Sequence, residues 1–325
     1  MQFNFLAVVK KVELKILRAA IMTGQFLAAA YHRVVQFLQP KWQKYSRIGI
    51  VSLAVLYVIG AIVFGVRLYV QRRFAPIDRY ASYIYPFPVA HAGRSLIFAR
   101  TLERQIAWTD FFAQKMQKEL PSDLDQQILD DKINDAVTMQ EADRMGIKVT
   151  EKDIDARLQE SIEGIGGQEQ LESFFRENYN MSIGQFKANL MLPKVALEKI
   201  RDERFVRVKA RHILIKDDKK AEEILKKIQD GGNFADLAKD NSEDQGSKDD
   251  GGLLAGGDFI YRDSGLVPEV EAALFALKAG ETSGIVKSSL GNHILRVEER
   301  QGTIDKTTDG WLSDLRQTYR SGIWI

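Results

Sequence analysis

The sequence predicts an α+β protein in three parts: a membrane-spanning helix near the N-terminus, a helical module, and a compact domain of mixed strands and short helices. Three observations carry this. The run "IGIVSLAVLYVIGAIVFGV", residues 48–66, is apolar and carries no charge. Apolar residues then recur at helical spacing across residues 95–204. After residue 205 the pattern switches to alternation, then short amphipathic helices between glycine-rich turns, then alternation again.

The length of 325 residues fits two or three domains. Net charge is +2, with 28% charged and 45% hydrophobic residues, a balance that gives no footing for nucleic-acid binding. There is no cysteine, which excludes disulfides, thiolate zinc sites and cysteine nucleophiles. The chain has four histidines, His32, His91, His212 and His293, so each can be weighed separately.

A bilayer core takes about 20 apolar residues of helix, so residues 48–70, bracketed by Arg47 and reaching past Arg67, are long enough to span one. A cleaved signal peptide fits poorly, because the run starts late and "RLYVQRRFAP" offers no small-residue cleavage site. The tail before it, residues 1–47, holds eight Lys and Arg against the single acid Glu13. Its basic and apolar residues recur at roughly helical spacing, which suits either an anionic membrane face or a bundled helix. By the positive-inside rule the tail is cytoplasmic and the rest of the chain extracytoplasmic, although Arg67, Arg72, Arg73 and Arg79 weaken the local bias. Membrane lipid is thus one expected partner.

Residues 71–94 read as a linker, with Pro86 and Pro88 forcing extended backbone and His91 at the surface. Across residues 95–204, "DQQILDDKINDAVTMQEADRMG" sets Ile128, Leu129, Ile133, Ala136, Val137 and Met145 on one stripe, with Gly146 as a stop. Thr150 and Asp153 resemble a capping box, and Ser182 is a second cap. Gly164, Gly166 and Gly167 break the chain between helices. The carboxylates here are scattered over polar faces and form no catalytic set. Packed apolar stripes can leave a groove for a client chain.

In "VRVKARHILIKDD" the alternation puts Val206, Val208, Ala210, His212 and Leu214 on one face of a strand. The last strand does the same with His293, Leu295 and Val297. If the two strands are neighbours, the imidazoles meet at the sheet's centre. Between them lie a helix ending at Gly231 and Gly232, a helix capped by Asn233, the loop "GSKDDGGLLAGGDFIYRDSG", and a helix with Pro268 in its first turn. A single core histidine is ordinarily a satisfied polar group. A facing pair beside an Asp- and Gly-rich loop asks for more.

With those motifs in view, residues 205–300 resemble the parvulin family of peptidyl-prolyl cis–trans isomerases. The resemblance runs in order through "ARHILI", "FADLAKDNSED", the Gly-Gly loop, "LVPEVEAALFALKAGE" and "GNHILRVEE". It implies a four-stranded antiparallel sheet wrapped by helices. It places the family's two central histidines on His212 and His293, its acidic or cysteine position on Asp244, its hydroxyl position on Ser288, and its proline pocket on Leu254, Leu266 and Val270. Two departures stand out. Val270 replaces the usual aromatic residue, and "GGLLAGG" puts Leu253 where the family has an acid. Phe259 or Tyr261 is then the expected replacement ring. Less specifically, residues 95–204 resemble the helical chaperone domain of SurA- and PrsA-type foldases. Residues 301–325 are expected to form a last helix, packing back through Trp311, Leu312 and Leu315.

The resemblance implies a membrane-anchored isomerase and chaperone of the bacterial cell membrane, acting on unfolded or nascent exported polypeptides, with no cofactor and no metal. The chemistry suits the residues. Rotation about a prolyl bond needs an apolar cup for the ring and a site favouring the twisted amide, and no nucleophile. A second reading is a binding module that keeps the fold and grips extended segments without isomerising them; Val270 and the altered loop favour it. A metal hydrolase needs more ligands than His212, His293 and Asp244 supply.

Overall fold

The computed structural model describes residues 43–71 and 76–325. The expected amphipathic tail and His32 lie outside the described residues. The chain divides into two units, residues 1–81 and 82–325. In the first, helix α1 (Gln43–Tyr69) contains the apolar run. It is the one helix among the described residues that is long and apolar enough to cross a membrane. Leu53, Leu56, Ile59 and Ile62 on it are all more than half exposed.

The stretch expected as a linker is structured. Helix α2 (Pro76–Ile84) is followed by strand β1 (Pro88–Ala92), which pairs antiparallel with β2 (Ser95–Phe98). Pro86 and Pro88 do hold the chain extended, but the extended backbone enters a sheet. The turn at Gly93 has φ +55°, and a Cβ there would stand 2.6 Å from Gln140 Oε1. Gln140 in turn donates to Ala92 O at 2.8 Å and accepts from Arg94 N at 3.2 Å, which ties the hairpin to the helical core. The far edge of β1 takes the C-terminal strand β7 (Gly322–Ile323), giving the order β2-β1-β7. His91, expected at the surface, stacks on Trp324 with ring centroids 4.8 Å apart.

The helical module comprises α3 (Ala99–Lys115), α4 (Leu124–Met145), α5 (Glu151–Gly164), α6 (Gln168–Tyr179), α7 (Ile183–Phe186) and α8 (Leu192–Arg204). Its boundaries follow the local chemistry. Thr150 and Asp153 form a reciprocal capping box, as do Ser182 and Gln185. Gly146 ends α4 in the left-handed region at φ 73°. The stretch from Ser182 onward is not one regular helix: Lys187–Met191 forms a π-turn just ahead of Pro193. Proline lacks an N–H and crowds the preceding turn, and widening that turn absorbs both effects. Among the described residues, Trp108, Leu171, Phe175 and Met181 form one apolar cluster of the module and Ile154, Leu158, Met191 and Val195 another, while Leu102, Leu129, Ile133, Val137 and Ile200 are also buried.

The mixed domain is a four-stranded antiparallel sheet, as the resemblance implied. Its strands are β3 (Arg207–Ile215), β4 (Ile260–Tyr261), β5 (Val286–Ser288) and β6 (Gly291–Gln301), in the order β4-β3-β6-β5. Helices α9 (Asp218–Gln229) and α10 (Phe234–Asn241) cover one face, over Ile213, Ile215 and Ile294. Helix α11 (Pro268–Ala276) covers the other, over Val208, Ala210, Leu295 and Val297. Helix α12 (Thr308–Thr318) is shorter than the expected 301–325, because the chain after it turns into β7; Trp311 meets Phe205 edge-on at 5.3 Å, Arg316 pairs with Asp130 of the helical module, and Tyr319 at the helix's C-cap donates to Glu141 at 3.0 Å.

Candidate functional site

The central pair β3 and β6 sets the site. His212 stands opposite Leu295, and His293 opposite Leu214, so the two histidines are diagonal neighbours on one face. Their rings lie 5.8 Å apart at 23°, nearly parallel. Both are buried, at 8% and 2% exposure, on the face whose core is Val208, Ala210, Leu295 and Val297. Leu214, expected on that face, is only half-buried.

Asp244 reaches His212 from the loop after α10. That loop is pinned to β3: Leu214 N and Asp244 N both donate to Ser242 Oγ, and Glu243 N donates to Leu214 O at 2.8 Å. Asp244 Oδ2 then lies 2.8 Å from His212 Nε2, and Ser247 Oγ lies 3.0 Å from the same nitrogen. Ser247 donates its hydroxyl to Asp244. An ionised carboxylate only accepts, so this geometry assigns the proton of His212 to Nε2. Burial pushes the Asp244 carboxyl up, but the Ser247 hydroxyl and His212 outweigh it, and the net shift is downward. The carboxylate is therefore ionised at neutral pH while a third of its side chain remains exposed.

His293 has a different partner. Its Nε2 lies 2.8 Å from Ser288 Oγ, which also accepts from Leu290 N at 3.0 Å. Its Nδ1 is buried without a hydrogen-bond partner. Burial, and then the neighbouring His212, lower its pKa, so His293 is neutral.

The Gly-Gly loop closes the site's other side. Gly252 O accepts from His212 N at 2.8 Å. Gly252 has φ +81°, and a Cβ on it would stand 2.2 Å from His212 O, so only glycine permits this approach. Leu253, in the place of the family's acid, forms a bridge to Arg211.

Of the expected proline-pocket residues, Leu254 and Val270 lie in the core on the histidine face, and Leu266 packs against it half-buried. Phe259 is not brought to the site. It lies beneath Arg207 and Lys209 at 4.5 and 4.9 Å, against residues that alternate with Val208 and Ala210 and so point to the opposite face of β3. Tyr261 is likewise engaged elsewhere, with Asp202 and Arg207. Sequence reasoning brought together His212, Asp244, His293 and Ser288, and missed Ser247. The available signal was its place three residues after Asp244 in a tight turn, where Lys248 N donates to Asp244 O at 3.0 Å.

Comparison with known proteins identifies two domain families in the chain. Residues 195–301 match the family described as the PPIC-type PPIASE domain. Residues 35–201, just over half of the 325-residue chain, match the SurA-like N-terminal domain. The foldase protein PrsA of Caldanaerobacter subterraneus subsp. tengcongensis is 32% identical over 191 residues, which is 55% of this chain and 60% of that protein. PrsA of a Geobacillus species is 29% identical over 229 residues, 67% of this chain and 77% of that protein. The solved structure of the peptidylprolyl isomerase PrsA from Bacillus anthracis is 26% identical, covers 59% of this chain and 87% of that one, and has a TM-score of 0.30. With a helical module in the residues matched to the one family and a paired-histidine sheet in those matched to the other, the chain belongs to the family with a SurA-like N-terminal domain and carries a PPIC-type PPIase domain over residues 195–301.

Proposed function

We propose that this protein is a membrane-anchored peptidyl-prolyl cis–trans isomerase and chaperone, acting on unfolded exported polypeptides, with its N-terminal tail cytoplasmic and its folded domains outside. The observation that carries the reading is the buried His212–His293 pair with an ionised carboxylate, Asp244, held at its edge. Rotation about a prolyl bond is slowed by amide resonance, a barrier of about 18–20 kcal/mol. Resonance places negative charge on the carbonyl oxygen. A fixed carboxylate beside that oxygen disfavours the charge-separated form and so favours the twisted amide. A hundredfold acceleration asks for only about 2.7 kcal/mol of this preference.

Each side chain takes a role on this reading. Leu266, backed by Leu254 and Val270, receives the proline ring and keeps water from the amide. Asp244 supplies the field. His212 and Ser247 hold that carboxylate ionised and oriented, and Ser288 fixes His293. No group is transferred and no electron moves, so the reaction calls for no cofactor. The helical module supplies the grip on the client, and α1 anchors both domains to lipid.

One observation favours the second reading, a binding module without catalysis. Val270 is only 2% exposed and sits in the core instead of presenting an aromatic wall. An isomerisation assay on the full chain in detergent, with a series of Xaa-Pro peptides, separates the two. Catalysis requires a rate above background that falls in His212→Ala and Asp244→Ala. A folded wild type at background makes the protein a tethered holdase.

A further inference from the structure

We infer that Asp305, which lies beyond the residues matched as the isomerase domain (195–301), is a positioning residue for the proline cup. It acts through Arg262 and Arg300 on helix α11. The inference rests on the isomerase reading and adds a part of the chain to that site.

Helix α11 carries Val270 and Leu274, both buried on the histidine face of the sheet. Its C-terminal end is gripped by two guanidinium groups. Arg300 donates to Phe275 O at 3.0 Å and Leu277 O at 3.3 Å, among the carbonyls that a helix end leaves unpaired. Arg262 lies over the Phe275 ring at 4.5 Å and approaches Glu271 at 4.0 Å. Both guanidiniums converge on one carboxylate: Arg262 Nε donates to Asp305 Oδ1 at 2.5 Å, and Arg300 Nη2 to Oδ2 at 3.1 Å.

That carboxylate is set by backbone. Gly302 turns at φ +88° so close to Phe205 that a Cβ would stand 1.9 Å from its carbonyl oxygen. Thr303 N and Ile304 N donate to Arg204 O, and Val206 N donates to Ile304 O at 2.9 Å. Asp305 therefore hangs from the junction where β3 begins. From the next loop, Asp263 accepts from Thr308 N at 3.2 Å and donates its N–H to Glu271 at 3.1 Å. The segment after β6 thus grips α11 and the loop leading to Leu266 at once. The arginines and Glu271 are three-quarters or more buried, while Asp305 itself is 38% exposed.

Removing the Asp305 charge leaves two crowded guanidiniums without their shared acceptor and frees α11 to shift. The ground-state fit of the proline ring suffers first, while Asp244 and the histidines stay in place on β3, its neighbouring loop and β6. The test uses the full chain in detergent, with Asp305→Asn, Asp305→Glu, Arg262→Gln and the Asp305→Asn/Arg262→Gln double variant. Initial-rate series with an Ala-Pro peptide give KM and kcat, and hydrogen exchange reads the amides of α11. The expected result for Asp305→Asn is a KM raised about fivefold with kcat within about twofold of wild type. Exchange rises in α11 and not in β3 or β6. Asp305→Glu recovers most of the loss, and the double variant is no worse than Asp305→Asn.

Unchanged α11 exchange in Asp305→Asn overturns the inference. So does loosening shared equally by α11, β3 and β6, with kcat falling alongside a higher KM. A wild type without activity removes the isomerase reading and the positioning role with it. That outcome is told apart from a failed clasp by the α11 exchange, which needs no activity.

Discussion

His212 and His293 lie in diagonal register on adjacent strands with their rings 5.8 Å apart, yet they share no partner. His212 serves Asp244 and Ser247, and His293 serves Ser288. The pair divides the site into a charged half facing the loop after α10 and a neutral half facing the β5–β6 turn. That division sets what each substitution does.

Ser247→Ala removes a hydroxyl that helps keep Asp244 ionised. The Asp244 pKa rises, and the acid limb of the activity–pH profile moves upward with it. At pH 7 the loss in kcat/KM is modest, about two- to fivefold, because His212 still bonds the carboxylate. A pH–rate series on wild type and variant checks the direction. An acid limb that stays in place removes Ser247 from the network.

The neutral half has a consequence for stability. The folded-state pKa of His293 is depressed, so the unfolded chain binds a proton more readily. The stabilisation from keeping it neutral is fully present above the unfolded value of about 6.5 and is lost as pH falls through the folded value. Thermal melts are expected to show a midpoint that drops on acidification below about pH 6.5. His293→Asn flattens that part of the curve, and an unchanged slope in the variant assigns the drop to other groups.

Gly252→Ala tests the close approach of the loop to β3. The new Cβ meets His212 O at 2.2 Å and the backbone sits at φ +81°, so strand and loop must part. The expected cost is about 2–4 kcal/mol, read as a lower denaturation midpoint, with activity lost alongside it. Gly256→Ala makes the control, since its Cβ meets nothing within 4 Å although its φ is +62°.

Val270→Phe restores the residue type usual in the family. Because Val270 is buried in the core at 2% exposure, the larger ring overpacks it and destabilises the domain by about 1–3 kcal/mol. Denaturant melts measure this. A variant as stable as wild type and faster in isomerisation shows that the wall opens onto the cup.

The parts of the fold that alternation and caps announce were legible in the sequence. The diagonal histidines follow from two strands with period two, and Thr150, Ser182, Asn233 and Pro268 mark helix starts that the structure contains. The sheet of β1, β2 and β7 was not legible. A two-residue strand such as Gly322–Ile323 has no periodicity, and its pairing with β1 joins opposite ends of the folded unit. Phe259 misled for a related reason. An aromatic residue near a site reads as a wall, but its face is decided by Arg207 and Lys209 across the sheet. Ser247 had only a turn spacing to announce it, and Asp305 nothing local at all, since its meaning lies in two arginines from separate elements.

The most direct test of the site is the rate of prolyl isomerisation by the full chain in detergent, measured beside Asp244→Ala. An ionised carboxylate at the amide's edge predicts a wild-type rate well above background that falls at least about tenfold in the variant, a loss of about 1.4 kcal/mol of transition-state preference. A wild-type rate equal to background in a folded protein, or an Asp244→Ala variant as fast as wild type, contradicts it.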